Sequence, residues 1–179
     1  IRTLKQFQQE YPGSNYIPQS YLYLGKAYLD SDNLQKAEET FHFILDRYPE
    51  INKDEEVSLL LAQLALRREG KVLALEMFEK VRKGMRSEDR KLDLIIQMAQ
   101  LYFDLGMYQK AATLLESAPR ARKLSERMFR IDYMRLNCYI ESDSLHMALD
   151  HSEKMLKNKR YHRHTGKKKK KKAMLLSKL

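Results

Sequence analysis

The residues best suited to metal or phosphate chemistry lie near the C-terminal end of the sequence, and they complete no motif. His162 and His164 could share a metal ion, but no Asp or Glu lies near them, and a His-x-His pair alone is too short to define a site. Gly166-Lys167 resembles the end of a phosphate-binding loop. However, Tyr161 occupies the position of the first glycine, and no Ser or Thr follows the lysine. We therefore predict no metal site and no cofactor.

Nucleophilic and acid–base chemistry have no better support. Cys138 is the single cysteine, which excludes an internal disulfide and a cysteine-based zinc site. It lies within a helical pattern, so we predict a small buried residue. Glu38-Glu39 and Glu55-Glu56 are adjacent pairs that point in different directions around a helix, so we predict solvated surfaces. Because no nucleophile, base and orienting group come together, the sequence predicts a protein that is not an enzyme.

An internal repeat of 37 residues organises the chain. Segment 28–37 (YLDSDNLQKA) reappears as segment 139–148 (YIESDSLHMA), and segment 102–111 (YFDLGMYQKA) lies between them in the same register. Alanines recur at this period, at Ala37, Ala74, Ala111 and Ala148. A fixed period in this range is typical of a solenoid, in which each repeat buries its apolar face only against its neighbours.

Each repeat contains two amphipathic helical patterns. In the first full repeat, Tyr21, Leu24 and Tyr28 recur at spacings of three and four, which predicts one apolar stripe on a helix. Residues 31–33 then favour a turn. A second pattern follows and stops at Pro49, because proline cannot continue a helix. The sequence therefore predicts an all-α chain built from helix pairs.

The pattern resembles the tetratricopeptide repeat. The family motif contains a large residue, Leu-Gly, Tyr, Ala, Phe and a closing Pro, and the first repeat matches it with Tyr21, Leu24, Gly25, Tyr28, Ala37, Phe41 and Pro49. The period exceeds the usual 34 residues, which we attribute to longer links between repeats. The resemblance implies an all-α, right-handed superhelical solenoid of antiparallel helix pairs. It would have about four full repeats of 37 residues and partial repeats at both ends.

The predicted domain boundaries follow the repeat. Residues 1–12 are expected to end a preceding repeat, and residues 13–160 to form four helix pairs (about 17–49, 54–84, 90–119 and 124–158). Residues 161–179 are expected to form a basic linker and the start of a fifth repeat, so the chain would be a piece of a longer array. Ala62, Ala99 and Leu136 replace Gly25 in later repeats. Since Leu136 is the largest of these, we expect the fourth pair to pack less closely.

The resemblance also implies a partner-binding groove, because the first helix of each repeat lines the concave wall in this family. It places seven residues in the groove: Tyr23, Lys26, Gln63, Gln97, Gln100, Tyr133 and Asn137. The amides could pair with the backbone of an extended peptide while apolar neighbours such as Leu22 and Leu29 form pockets. The alternative is that these apolar residues are covered by the neighbouring helix. The paired Lys/Arg and Asn set with which some relatives clamp a C-terminal carboxylate is missing.

Positive charge is concentrated at one end of the chain. Of the 34 Lys and Arg residues, 12 lie from Lys154 onward, which leaves 22 against 24 Asp and Glu in the rest, a formal charge of −2. Six of the 12 form a continuous lysine block: Lys167, Lys168, Lys169, Lys170, Lys171 and Lys172. Such a block can bind polyanions, including nucleic acid, or an acidic membrane surface. The alternative, which we favour, is a solvated linker.

The residues that close the first repeats are similar to those of bacterial envelope lipoproteins that support outer-membrane assembly or secretion. Segments 7–12 and 43–49 both end in Tyr-Pro. This resemblance favours a protein-binding adaptor of the bacterial periplasm or outer membrane. A cytoplasmic regulatory module next to a separate output domain is one alternative, and a nucleic-acid-associated scaffold is another. No stretch reaches the apolar length that a membrane span needs.

The lysine block yields the first testable prediction. Deletion of residues 167–172 should abolish most salt-sensitive binding to heparin or DNA, because residues 1–153 are nearly neutral and have no field that attracts a polyanion. Helix content and the melting temperature should stay nearly unchanged. Heparin-column elution and circular dichroism measure these effects. Tight, salt-dependent binding by the deletion variant would favour the nucleic-acid interpretation instead.

Overall fold

The structure is a computed structural model that describes residues 1–52, 55–118 and 126–157, and this part of the chain is all-α. It divides into two compact units, residues 1–87 (unit 1) and residues from 88 onward (unit 2). The predicted fold class, an all-α chain of packed helix pairs, is confirmed. Segment 161–179, which contains the lysine block, lies outside the described residues.

The described part of unit 1, residues 1–52 and 55–87, contains five α-helices and a short 3-10 helix. They are α1 (Arg2–Glu10), α2 (Ile17–Asp30), α3 (Leu34–Arg47), the 3-10 helix (Pro49–Asn52), α4 (Glu56–Arg68) and α5 (Lys71–Gly84). Each α-helix up to α5 packs against the next, and α2 also contacts α4. The first helices of two successive repeats, α2 and α4, are therefore neighbours.

Unit 2 repeats this arrangement in its described part. Its helices are α6 (Glu88–Asp104), α7 (Tyr108–Glu116), α8 (Glu126–Glu141) and α9 (Leu145–Lys157). Here α7 packs between two first helices, α6 and α8, which also contact each other. Across the parts of both units that the structure describes, no helix has the length and apolarity required to cross a membrane.

The turn inside each helix pair recurs with the sequence period. The backbone N–H of Asn33 donates to the Tyr28 carbonyl at 2.9 Å, and that of Met107 to the Tyr102 carbonyl at 2.8 Å. The corresponding bonds of the other two pairs join Ser144 to Tyr139 at 2.8 Å and Gly70 to Ala65 at 3.1 Å. This bond closes a helix C-terminus when the chain passes through a left-handed residue. Three pairs place that residue at one register position: Asp32, Gly106 and Asp143, with φ of 58°, 72° and 55°.

The two helices of the first pair approach each other very closely. A Cβ atom built on Gly25 of α2 would lie 2.4 Å from Cε1 of Phe41 on α3, and the Phe41 ring is completely buried. No side chain fits at that distance without movement of the ring or of a helix. Gly25 is therefore required by the closeness of the two helices and not by its backbone conformation, because it lies within α2 and its φ is not in the left-handed region.

The repeated alanines lie where second helices enter the core. Ala37, Ala74 and Ala111 have no exposed surface, and Ala148 is 1% exposed. In the fourth pair, α8 packs against α9. Leu136 is itself buried, and the residue at the register position of Phe41 is the small, fully buried Ser152. A large residue on the first helix is thus matched by a small one on the second.

The Gly25–Phe41 contact generates the second prediction. Replacement of Gly25 by alanine should destabilise the fold by about 1–3 kcal/mol, because the added methyl overpacks a fully buried contact. Urea unfolding followed by circular dichroism measures the loss. Gly13→Ala is the matched control, since a Cβ at Gly13 would meet nothing within 4 Å. Equal stability of the two variants would contradict the close approach.

Candidate partner-binding surface

The first helices of unit 1 present an ion pair beside an exposed aromatic ring. The Lys26 ammonium of α2 lies 2.6 Å from Oε1 of Glu56 at the start of α4, and both side chains are 35% exposed. The same ammonium lies 5.9 Å from the centroid of the Tyr23 ring, which is 54% exposed. Tyr23 and Lys26, both predicted groove residues, are therefore adjacent. Lys26 is engaged within the chain, so its charge is already neutralised.

Gln63 completes the unit 1 surface. It follows Glu56 by seven residues on α4, so the two side chains share one face of the helix. Gln63 is half-buried, and within the described part of the chain its side-chain amide has no hydrogen-bond partner. An amide of this kind retains its capacity to donate and to accept. Gln63, Tyr23 and the Lys26–Glu56 pair together form what we call the α2/α4 surface.

Unit 2 carries a depression between its two first helices. This depression has a volume of about 290 Å³ and is lined by Asp93, Ile96, Gln97, Gln100 and Leu101 of α6 and by Arg130 of α8. Gln97 is half-buried. Gln100 is exposed, and its Nε2 donates to Oδ1 of Asp104 at 2.9 Å. The structure therefore brings together two predicted groove residues, Gln97 and Gln100.

The remaining predicted residues lie further along α8. Tyr133 is half-buried, and its ring stacks on Phe129 with the centroids 6.3 Å apart. Asn137 is half-buried and follows Arg130 by seven residues, so both lie on one face of α8. We call this face, together with the depression, the α6/α8 surface.

The sequence did not predict the ion pairs of two glutamates of unit 1, and it did not identify one arginine of the α6/α8 surface. Glu38 and Glu56 were predicted to be solvated, but Glu56 pairs with Lys26, and Glu38 forms a 2.5 Å ion pair with Arg68 of α4. Sequence spacing cannot reveal these pairs, because their partners lie 30 residues away. Arg130 was overlooked, although extension of the polar positions on α8 by two turns from Asn137 would have reached it.

Part of the predicted apolar wall belongs to the core. Leu22 is 1% exposed and Leu29 is 4% exposed, and both belong to the buried cluster of unit 1. They are covered by neighbouring helices and cannot form open pockets. The aromatic and aliphatic surface open to a partner is thus smaller than predicted. Tyr23 is its most exposed member among the predicted groove residues of unit 1.

Three described titratable groups of unit 2 outside these surfaces, Cys138, His151 and Asp132, have pKa values shifted by burial. Burial raises the pKa of the Cys138 thiol to about 11, so the sulfur stays protonated and unreactive at neutral pH. His151 of α9 lies 3.0 Å from the Asp132 carbonyl oxygen of α8. Burial, and then the Arg135 charge, lower the pKa of His151 below its ordinary 6.5. Burial also raises the pKa of Asp132 above 3.8, although Arg135 partly opposes this.

Comparison with known proteins assigns the repeat. Residues 19–50 match the family model described as tetratricopeptide repeat. Among solved structures, PilF of Pseudomonas aeruginosa has a similar fold, with a TM-score of 0.55 and 20% sequence identity. The match covers 80% of this chain and 61% of PilF, so it spans less than two thirds of that protein. No curated protein has a matching sequence. At such low identity the likeness to PilF shows the fold alone.

In both units the helices pack in pairs, and the first helices of successive pairs contact each other. This arrangement is typical of helical-repeat proteins. The match at residues 19–50 and the shared fold specify the class further. Residues 19–50 are therefore similar to a tetratricopeptide repeat, and the described part of the chain has the paired-helix fold of such repeats.

The buried histidine yields the third prediction. Between about pH 7.5 and pH 5.5 the melting temperature should fall, because below 6.5 the unfolded chain binds a proton at His151 that the folded chain resists. Asp132 acts in the opposite direction only at lower pH, where its raised pKa favours proton uptake by the folded chain. Calorimetry at several pH values measures the slope. His151→Gln should flatten it, and His146→Gln, which changes an exposed side chain, should not. The same slope in the His151 variant would show that another group is responsible.

Proposed function

We propose that this chain is a non-enzymatic adaptor whose α2/α4 and α6/α8 surfaces bind extended peptide segments of a partner protein. The observation that carries the proposal is the set of half-buried amides on first helices, Gln63, Gln97 and Asn137. An amide inside a core would need a partner of its own, because an unpaired buried polar group is costly. On a surface, the same amide is available to a ligand.

The chemistry of these surfaces suits a peptide backbone. An amide side chain both donates and accepts, as does each peptide unit, so a row of amides can pair with an extended chain in one register. Gln97 and Gln100 lie one turn apart on α6, about 5 Å along the helix axis. The exposed Tyr23 ring adds the kind of aromatic anchor that contributes strongly to interfaces.

The absence of catalysis is part of the proposal. The one thiol is buried with its pKa raised to about 11. Among the described residues, no three His, Cys, Asp or Glu side chains are grouped so as to hold a metal ion. His151 contacts the backbone carbonyl and the carboxylate of Asp132, and the hydroxyl of the adjacent Ser152 donates to the Leu149 carbonyl. These features support a scaffold, in which binding alone is the activity.

We further propose that the adaptor works in a bacterial envelope assembly or secretion complex. The Tyr-Pro ends of segments 7–12 and 43–49 support this assignment. Fractionation of cells that carry the full-length native protein tests it by immunoblot, with recovery in the envelope fraction expected. Recovery in the cytoplasm would favour a regulatory module of the cytoplasm.

The amides provide the fourth prediction. Joint replacement of Gln63 and Gln100 by alanine should weaken peptide binding by about 1–3 kcal/mol, the loss expected when polar groups of a bound backbone lose their partners. The probes are peptides selected from a random library on the unmodified chain, and fluorescence anisotropy measures their affinity. The single variants Gln63→Ala and Gln100→Ala assign the loss to unit 1 or to unit 2.

A core variant separates binding from folding. Ala74→Leu should destabilise the chain by about 1–3 kcal/mol, because Ala74 has no exposed surface and a larger side chain forces strain. The double glutamine variant should unfold at nearly the same urea concentration as the unmodified chain, since helix surfaces accept alanine well. If the double variant unfolded easily while Ala74→Leu did not, the assignment of surface and core positions would be inverted.

A further inference from the structure

Two arginines of α8, one lining the depression between α6 and α8 and one paired with its Asp93, are in different electrostatic states. Arg127 is engaged: its Nε lies 2.7 Å from Oδ1 of Asp93, and its Nη1 lies 3.2 Å from Oδ1 of Asp89. Arg130 is one turn further along α8 and lines the depression directly. The Arg130 side chain is exposed. The carboxylate of the depression, Asp93, is therefore already held by the neighbouring arginine.

Arg130 has no acidic partner among the described residues, with no ion pair or hydrogen bond to its side chain. The sequence strengthens this observation, because segments 119–125 and 158–179 contain no Asp or Glu. These segments thus supply no Asp or Glu side chain to neutralise this guanidinium. A planar guanidinium with its donors open is best matched by a carboxylate, which accepts two parallel hydrogen bonds.

The surroundings of Arg130 would strengthen such a contact. Ile96 and Leu101, at 5% and 8% exposure, form an apolar floor to the depression. A bound peptide would displace water from this floor, and a charge pair gains strength where water is excluded. Gln100 donates to Asp104 and keeps its carbonyl oxygen for a peptide N–H, while Gln97 lies one turn before it along α6.

We infer that the depression binds an Asp or Glu side chain of an extended peptide, with Arg130 pairing with the carboxylate and Gln97 and Gln100 contacting the backbone. The inference rests on the proposed function and names the partner's chemistry at this surface. A side chain within the peptide fits better than a chain-terminal carboxylate. Among the described residues that line the depression, Arg130 is the one cation, and the two amides follow a backbone that continues along α6.

Peptides selected from a random library on the unmodified chain test the inference. Acidic residues should be enriched at one position, and a Glu→Gln change there should weaken binding about tenfold. Arg130→Gln should cause the same loss, and it should have no further effect on the Glu→Gln peptide. Lys110→Gln is the matched control, because it removes an equal charge from an exposed residue of α7 and should leave affinity unchanged. Selection on Arg130→Glu should enrich Lys or Arg at that position.

The outcomes separate the inference from the proposed function. If selected peptides bind and respond to Gln63→Ala or Gln100→Ala, but show no acidic position and no loss with Arg130→Gln, the inference is overturned and the proposed function stands. Loss on C-terminal amidation, with no loss on Glu→Gln, would assign the site to a terminal carboxylate and also overturn it. If no selected peptide depends on either glutamine, the proposed function fails and the inference fails with it.

Discussion

The closeness of the two helices within a pair governs the rest of this structure. In the first pair there is no room for a Cβ between Gly25 and the buried Phe41 ring. Phe78 and Leu115 occupy the same register position as Phe41 and are equally buried. Short helices like these gain most of their stability from packing, and in each pair these two register positions hold one small residue and one larger residue. The period of 37 residues repeats this arrangement along the chain.

In the fourth pair the larger residue lies on the first helix and the smaller residue on the second helix, the reverse of the first pair. Leu136 occupies the first-helix position of Gly25, and Ser152 occupies the second-helix position of Phe41, both fully or almost fully buried. The hydroxyl of Ser152 donates to the Leu149 carbonyl at 2.8 Å, so no polar group is left unpaired there. The motif alone marks Leu136 as a departure. Total volume, which cores conserve more strictly than individual residues, explains why the pair still forms.

The local pattern of the sequence predicts the helices and turns, but it does not predict contacts between side chains that are far apart in the sequence. Helix pairs and their turns follow from apolar spacing and from turn residues such as Asn33 and Gly106, and the structure confirms the all-α class. The bonds between first helices could not be predicted, because Lys26 and Glu56 lie 30 residues apart and any acidic residue near α4 would serve equally. For the same reason, the sequence does not reveal that, among the described residues, Arg127 has acidic partners and Arg130 has none.

These two kinds of contact separate stability from recognition. The small and large residues that join the helices of a pair are buried. Tyr23, Gln100 and Arg130, in contrast, are exposed on the surface. Substitution of an exposed helix residue changes stability little, so the first-helix surfaces can vary while the pairs persist. The surfaces already differ in charge: the α2/α4 surface neutralises its lysine internally, and the α6/α8 surface leaves one arginine open. Side-chain volume constrains the buried positions of each repeat but not the exposed positions of its first helix. The exposed residues of each repeat can therefore suit a different partner.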